Sequence, residues 1–259
     1  MQAFSIDGRT MHFSDTGPRD GAALVFSNSL GTDFRVWDPL LAHLPETFRV
    51  LRYDTGGHGL SDATRGHSIE DHARDLAALM EHAGIDRATV VGLSVGGLIA
   101  QALYKVAPER MAGVVFCDTA HKIGNDSVWN DRIEAIERDG MAAVADPTME
   151  RWFTRAFRET DPTFPLWRSM LLGTLAAGYC DLGRAIRDAD FTGDCAALDI
   201  EALCICGAED GATPPDLMRD FASRLPRARY VELADCGHIP CVEQPERLAR
   251  EIAAFAEAL

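Results

Sequence analysis

A chain of 259 residues, 47% hydrophobic and 25% charged, has the composition of a globular protein long enough for one substantial core plus an appended subdomain. Its 25 Lys+Arg against 40 Asp+Glu leave a formal charge of −15 with no basic cluster, which argues against nucleic acid or an anionic membrane as partner. An anionic small ligand would need a locally basic pocket on such a protein.

Further exclusions follow from the residue pattern. No apolar run approaches a bilayer span, and Met1–Gly8 lacks the basic and apolar regions of a secretory signal. The seven cysteines are odd in number and show no metal-ligand spacing, which predicts buried free thiols in a cytoplasmic protein.

Along the chain, Gln2–Ile6 and Thr10–Ser14 read as short strands joined through Asp7-Gly8. Ala23–Ser27 is a buried strand, Trp37–Leu44 a helix and Phe48–Tyr53 a strand. Ser68–Ala83 is a helix: Ser68 is its N-cap with Asp71 three residues on, and Ile69, Ala73, Leu76, Met80 and Ala83 form one apolar face. Arg87–Leu93 and Met111–Cys117 are strands flanking a Leu98–Val106 helix. This alternation implies an α/β fold with a mostly parallel sheet.

From residue 120 to 199 the pattern becomes helical, with Ile133–Ile136 and Met149–Phe157 as helices and three of the four tryptophans. Strands resume at Ala202–Cys206 and Ala228–Leu233, with helices near Asp216–Leu225 and after Pro245, the last carrying Leu248, Ile252, Phe255 and Leu259. Residues 1–119 and 200–259 thus read as one α/β core, and 120–199 as a helical cap over the carboxyl edge of its sheet.

That edge is where open parallel sheets bind ligands. Gly92-Leu93-Ser94-Val95-Gly96 joins a strand to a helix, and glycines two positions either side of Ser94 relieve the crowding of a sharp turn that exposes its hydroxyl. A serine hydroxyl needs an imidazole to accept its proton. His238 follows the last strand, and His58, in Gly56-Gly57-His58-Gly59, is the second candidate. A carboxylate must orient the imidazole. Asp210 and Asp118 both end strands, and Asp210 is favoured by its Gly/Pro-rich turn and the order Ser…Asp…His, with Glu209 pointing outward or capping the turn.

The backbone N–H of Val95 and one from the loop after Ala23–Ser27, at Leu30, are the oxyanion donors, with the Asn28 side chain as an alternative. Asp54 and His58 lack partners for a metal, and no phosphate-binding glycine pattern occurs, so neither metal nor cofactor is implied.

Five segments carry a family resemblance: Asn28–Asp33, Tyr53–Asp62, Gly92–Gln101, Ala185–Asp190 and Cys236–Pro245. Together they resemble 3-oxoadipate enol-lactonases, which are α/β-hydrolases of the β-ketoadipate pathway of aromatic catabolism. The resemblance runs over nearly the whole chain. It implies a triad of Ser94, Asp210 and His238, oxyanion donors at Leu30 and Val95, and a small lactone bearing an acetate arm. The arm's carboxylate needs a cation. Lys122, Arg132 and Arg155 are the candidates, with Trp129 and Trp152 as apolar walls. Two positions depart from the pattern: Gly56 stands where arginine is expected, removing a positive charge near the site, and Val95 where methionine is usual. The alternatives are a broader carboxylesterase or perhydrolase using the same triad, and a hydrolase-fold ligand receptor. The oligomeric state is left open by the sequence.

Overall fold

The computed structural model describes residues 1–259. Its core is one eight-stranded sheet built from β1 (Gln2–Ile6), β2 (Arg9–Thr16), β3 (Ala23–Ser27), β4 (Arg49–Tyr53), β5 (Ala88–Leu93), β6 (Met111–Cys117), β7 (Ala202–Gly207) and β8 (Ala228–Leu233), in the order β1-β2-β4-β3-β5-β6-β7-β8. The β1–β2 and β2–β4 pairs are antiparallel, and every pair from β4 through β8 is parallel. Strands β4, β5 and β7 are buried along their whole length. That explains why β5 and β7 read as near-continuous apolar runs rather than alternating ones, whereas β4 carries Arg49 and Arg52, paired with Asp15 and Asp38.

Between strands lie α1 (Asp38–Leu41), α2 (Ile69–His82) and α3 (Val95–Val106); α9 (Pro215–Arg224), α10 (Pro240–Glu243) and α11 (Pro245–Glu257) follow β7 and β8. The Ser68–Asp71 capping box at the start of α2 is closed in both directions. Five helices fill the excursion between β6 and β7: α4 (Asp126–Asp139), α5 (Ala142–Trp152), α6 (Arg155–Thr160), α7 (Phe164–Leu172) and α8 (Ala176–Asp188). No helix is long and apolar enough to cross a membrane. All seven cysteines are buried and unpaired.

Three element boundaries differ from the sequence expectation. Trp37–Leu44 is not one helix: a 3-10 turn over Phe34–Trp37 passes into a single α-turn at Asp38–Leu41, with Asp33 capping the first. The helix after β5 begins at Val95 rather than Leu98, because Ser94 itself makes the turn. Met149–Phe157 is broken at Phe153, which is extended, and Thr154 caps a fresh helix by accepting the N–H of Phe157 at 3.2 Å.

Candidate active site

Parallel pairing brings the ends of β3, β5, β6, β7 and β8 to one edge, and with them Leu30, Ser94, Asp118, Asp210 and His238. Ser94 sits at φ 57°, ψ −117°, a conformation that side chains rarely adopt and that is held here by its neighbours. Its own N–H donates to Cys117 O at 3.0 Å, and its carbonyl accepts the Thr119 hydroxyl at 2.7 Å. The flanking glycines are required by contact: a Cβ at Gly92 would lie 2.4 Å from Gly96 O, and one at Gly96 2.1 Å from Ser27 O.

Asp210 and His238 are both buried, and His238 Nδ1 lies 2.9 Å from Asp210 Oδ2. The carboxylate accepts three more hydrogen bonds, from the N–H groups of Ala212 (2.7 Å) and Thr213 (3.0 Å) and from the Thr213 hydroxyl (2.7 Å). Burial pushes the Asp210 pKa up, but the His238 charge and these donors outweigh it and hold the carboxyl below its ordinary value. The Nδ1 contact leaves His238 Nε2 free to act as a base. Ser94 and His238 line one cavity of about 230 Å³. Their side chains are not hydrogen-bonded to each other in this structure; such a contact commonly tightens when substrate is bound.

Leu30 also lines this cavity, and neither its N–H nor that of Val95 donates to another protein group. Both are therefore available to an oxyanion. Asn28 is not: its Nδ2 donates to Tyr53 O at 2.7 Å and its Oδ1 accepts Trp37 Nε1 at 2.7 Å. His58 also departs from expectation. It is buried away from the cavity with Nδ1 3.2 Å from Gly56 O, and burial lowers its pKa. Glu209 is exposed, as its outward reading requires.

Asp118, the competing acid, is fully buried at φ 45°, with Oδ1 accepting Gly207 N–H at 2.8 Å and Oδ2 unpartnered. Ligand atoms of Asp118, Cys206 and Asp210 lie within 4.8 Å of one another. Burial and then the charge of Asp210 push the Asp118 pKa well above its ordinary value, the opposite direction to Asp210.

The cavity is also lined by Trp129, Arg132, Arg151, Trp152 and Tyr179. Arg132 and both tryptophans are where the sequence reading puts them. Lys122 and Arg155 are not: Lys122 is paired with Asp190 at 3.0 Å, and Arg155 projects into solvent, 81% exposed, paired with Glu159 at 2.7 Å. The helix break at Phe153 explains the second, since it puts Arg155 on α6 and leaves Arg151 at the end of α5 facing inward.

Arg151 and Tyr179 are the residues that sequence reasoning misses. A threonine three residues before Phe157 is the available signal for the break. Arg132 Nη2 donates to Thr148 Oγ1 at 2.5 Å, and its guanidinium stands 5.7 Å from the Trp129 ring and 5.9 Å from that of Tyr179. Arg151 has no hydrogen-bond or ion-pair partner for its side chain; burial and then the charge of Arg132 lower its pKa. A guanidinium nevertheless stays charged at neutral pH.

Gly56 does not line the cavity, so its departure from the family pattern takes no charge from the chamber wall. A Cβ there would meet Thr64 Cγ2 at 2.5 Å, so this loop is packed around a glycine.

A serine at a strained strand-to-helix turn, a buried His–Asp pair and free N–H donors at one sheet edge define a hydrolase of the nucleophile-elbow kind. The chain belongs to the alpha/beta hydrolase family, whose family model matches residues 24–251.

Within that family it is similar to 3-oxoadipate enol-lactonase 1 of Acinetobacter baylyi, 32% identical over 97% of this chain and 95% of the relative. It is 33% identical to 3-oxoadipate enol-lactonase 2 of the same organism, over 91% and 89%. The crystal structure of the enol-lactonase from Burkholderia xenovorans LB400 matches with a TM-score of 0.95 at 36% identity, covering 99% of this chain and 100% of that one.

Proposed function

We propose that this enzyme hydrolyses the enol-lactone of 3-oxoadipate through an acyl-enzyme on Ser94, as a step of the β-ketoadipate pathway. One observation carries the substrate choice. Arg132 and Arg151 face the cavity of Ser94 and His238 without a carboxylate partner from a chain of net charge −15. Half-buried cations are costly unless an anion meets them, and a lactone with an acetate arm supplies one carboxylate at a short reach from the ring carbonyl. The similarity to 3-oxoadipate enol-lactonases supports the same reading.

In this mechanism Ser94 Oγ attacks the lactone carbonyl while His238 Nε2 takes its proton, and Asp210 stabilises the imidazolium through Nδ1. The N–H groups of Leu30 and Val95 receive the oxyanion; losing one such donor costs about 3–4 kcal/mol of transition-state stabilisation. Collapse breaks the ring C–O bond. The leaving oxygen departs as an enolate, a weaker base than an alkoxide, and takes the proton from His238 before the enol becomes the ketone. Water then gives a proton to His238 and attacks the acyl carbonyl, and the second collapse returns that proton to Ser94 and frees 3-oxoadipate.

Buried unpaired cysteines fit a cytoplasmic enzyme. The test is ring opening of freshly generated enol-lactone by the wild-type chain and by Ser94→Ala. Opening by the first alone is expected. The apolar walls Val128, Trp129, Trp152 and Ile186 also suit neutral esters. Faster turnover of aryl acetates than of the lactone would replace this reading with a broader carboxylesterase or perhydrolase.

A further inference from the structure

Glu243 stands outside the cavity, yet its carboxylate ties the cap to the loop of the catalytic histidine. Oε1 accepts the N–H of Thr154 at 3.2 Å and that of Gly237 at 3.2 Å, and Oε2 accepts the Thr154 hydroxyl at 2.8 Å. Thr154 begins α6 in the cap; Gly237 precedes His238. Two backbone bonds lie beside this bridge. His238 N–H donates to Trp152 O at 2.8 Å, and Gly211 N–H donates to Arg151 O at 3.1 Å. The segment Arg151–Thr154 is thereby held against both loops that carry the acid and the base.

The approach is close enough to require glycine. A Cβ at Gly237 would lie 2.5 Å from Trp152 O and 2.8 Å from Glu243 Oε1. The bridge also coincides with the break between α5 and α6: the Thr154 N–H, released where the helix stops, is the group that Glu243 accepts. Glu243 is only half-buried by its neighbours, and burial pushes its pKa up to about 7 against the pull of these donors, with Glu209 and Cys236 as the titratable groups facing it.

From this geometry we infer that Glu243 is a positioning residue for substrate selection: it clamps Arg151–Thr154 onto the His238 loop and so fixes where the Arg151 guanidinium stands in the cavity it shares with Ser94. The consequence for substrate rests on the carboxylate-binding reading of Arg151 given above. The clamp itself does not.

Three donors converge on this carboxylate, and an amide offers one acceptor in place of two. Glu243→Gln therefore turns an N–H group toward a donor and opens the clamp. Hydrogen exchange should report it directly: amides of Thr154, Gly237 and His238 exchange at least tenfold faster in Glu243→Gln, while those of α4 are unchanged. Unchanged exchange at these three amides in a folded variant overturns the clamp.

The selection arm uses adipate as the probe, with binding measured on Ser94→Ala carrying Glu243→Gln, Arg151→Ala or both. Glu243→Gln should weaken adipate binding about tenfold when Arg151 is present and less than twofold when it is absent. In turnover, KM for the anionic lactone should rise about tenfold while kcat changes less than threefold. Equal weakening in both backgrounds would show that Glu243 does not act through Arg151 and overturns the positioning role. Failure of the Ser94→Ala chain to bind adipate at all would instead overturn the carboxylate reading, and the exchange measurement alone would then decide the clamp.

Discussion

Two buried carboxylates stand behind His238, and exchanging each for its amide separates their roles. Ligand atoms of Asp118 and Asp210 lie within 4.8 Å of each other. At about 5 Å and an effective dielectric near 20, two ionised carboxylates would repel by about 3 kcal/mol, before any cost of burying the second charge. One of them therefore holds a proton. Asp210 has four hydrogen-bond donors around it and Asp118 has one backbone N–H, so the charge stays on Asp210.

Asp118→Asn replaces a neutral acid by a neutral amide of the same shape and keeps an acceptor for Gly207 N–H. Its kcat should stay within about threefold of wild type. Asp210→Asn takes the acceptor from His238 Nδ1 and favours the wrong tautomer, for which a loss of about 10⁴ in kcat is expected. Steady-state hydrolysis of the lactone measures both, and the infrared carbonyl band of a protonated carboxylic acid should vanish in Asp118→Asn.

Stability gives a second reading with a definite sign. An acid whose pKa is raised on folding contributes stability that is full below its unfolded pKa and is lost as pH rises from about 4 toward the folded value. Asp118→Asn should remove one proton's worth of that slope, about 1.4 kcal/mol per pH unit. Asp210, whose pKa is lowered, has the opposite sign and costs stability as the solution is acidified. A loss of activity in Asp118→Asn as large as in Asp210→Asn would refute this division of roles.

Arg151→Ala should raise KM for the lactone roughly tenfold to a hundredfold, the scale of one charge-assisted hydrogen bond of about 1.5–3 kcal/mol, with little change in kcat. Arg132→Ala should cost less in KM, because that guanidinium already donates to Thr148 and stacks between two rings. Gly56→Arg, which restores the residue expected from the family pattern, should lower the melting temperature rather than raise activity, since its Cβ would strike Thr64 at 2.5 Å. Thermal unfolding beside lactone turnover checks that outcome.

Ser94, Asp210 and His238 are legible in the sequence because each follows a strand-like run, apolar before Ser94 and Asp210 and mixed before His238, and parallel strands deliver their ends to one edge. Gly92 and Gly96 are legible for a related reason: no side chain fits where they stand. The cap is less so. Its helices pack by shared faces rather than by a regular alternation, and Thr154, just after the break at Phe153, is held by Glu243, some 90 residues away in the chain. The local signal for the break is Thr154, three residues before Phe157; read as one continuous helix, the segment puts Arg155 forward, whereas Arg151 is the one that lines the cavity. Lys122 fails for another reason. Its partner Asp190 lies across the cap, and pattern alone does not distinguish a paired cation from a free one.

The most direct test of the account compares the anionic enol-lactone with its methyl ester, which has the same ring and carbonyl but no charge on the arm. Wild-type kcat/KM should favour the acid at least tenfold, and the preference should disappear in the Arg132→Ala/Arg151→Ala double variant. Equal rates for the two substrates in the wild-type enzyme, or a preference that survives the loss of both arginines, would contradict it.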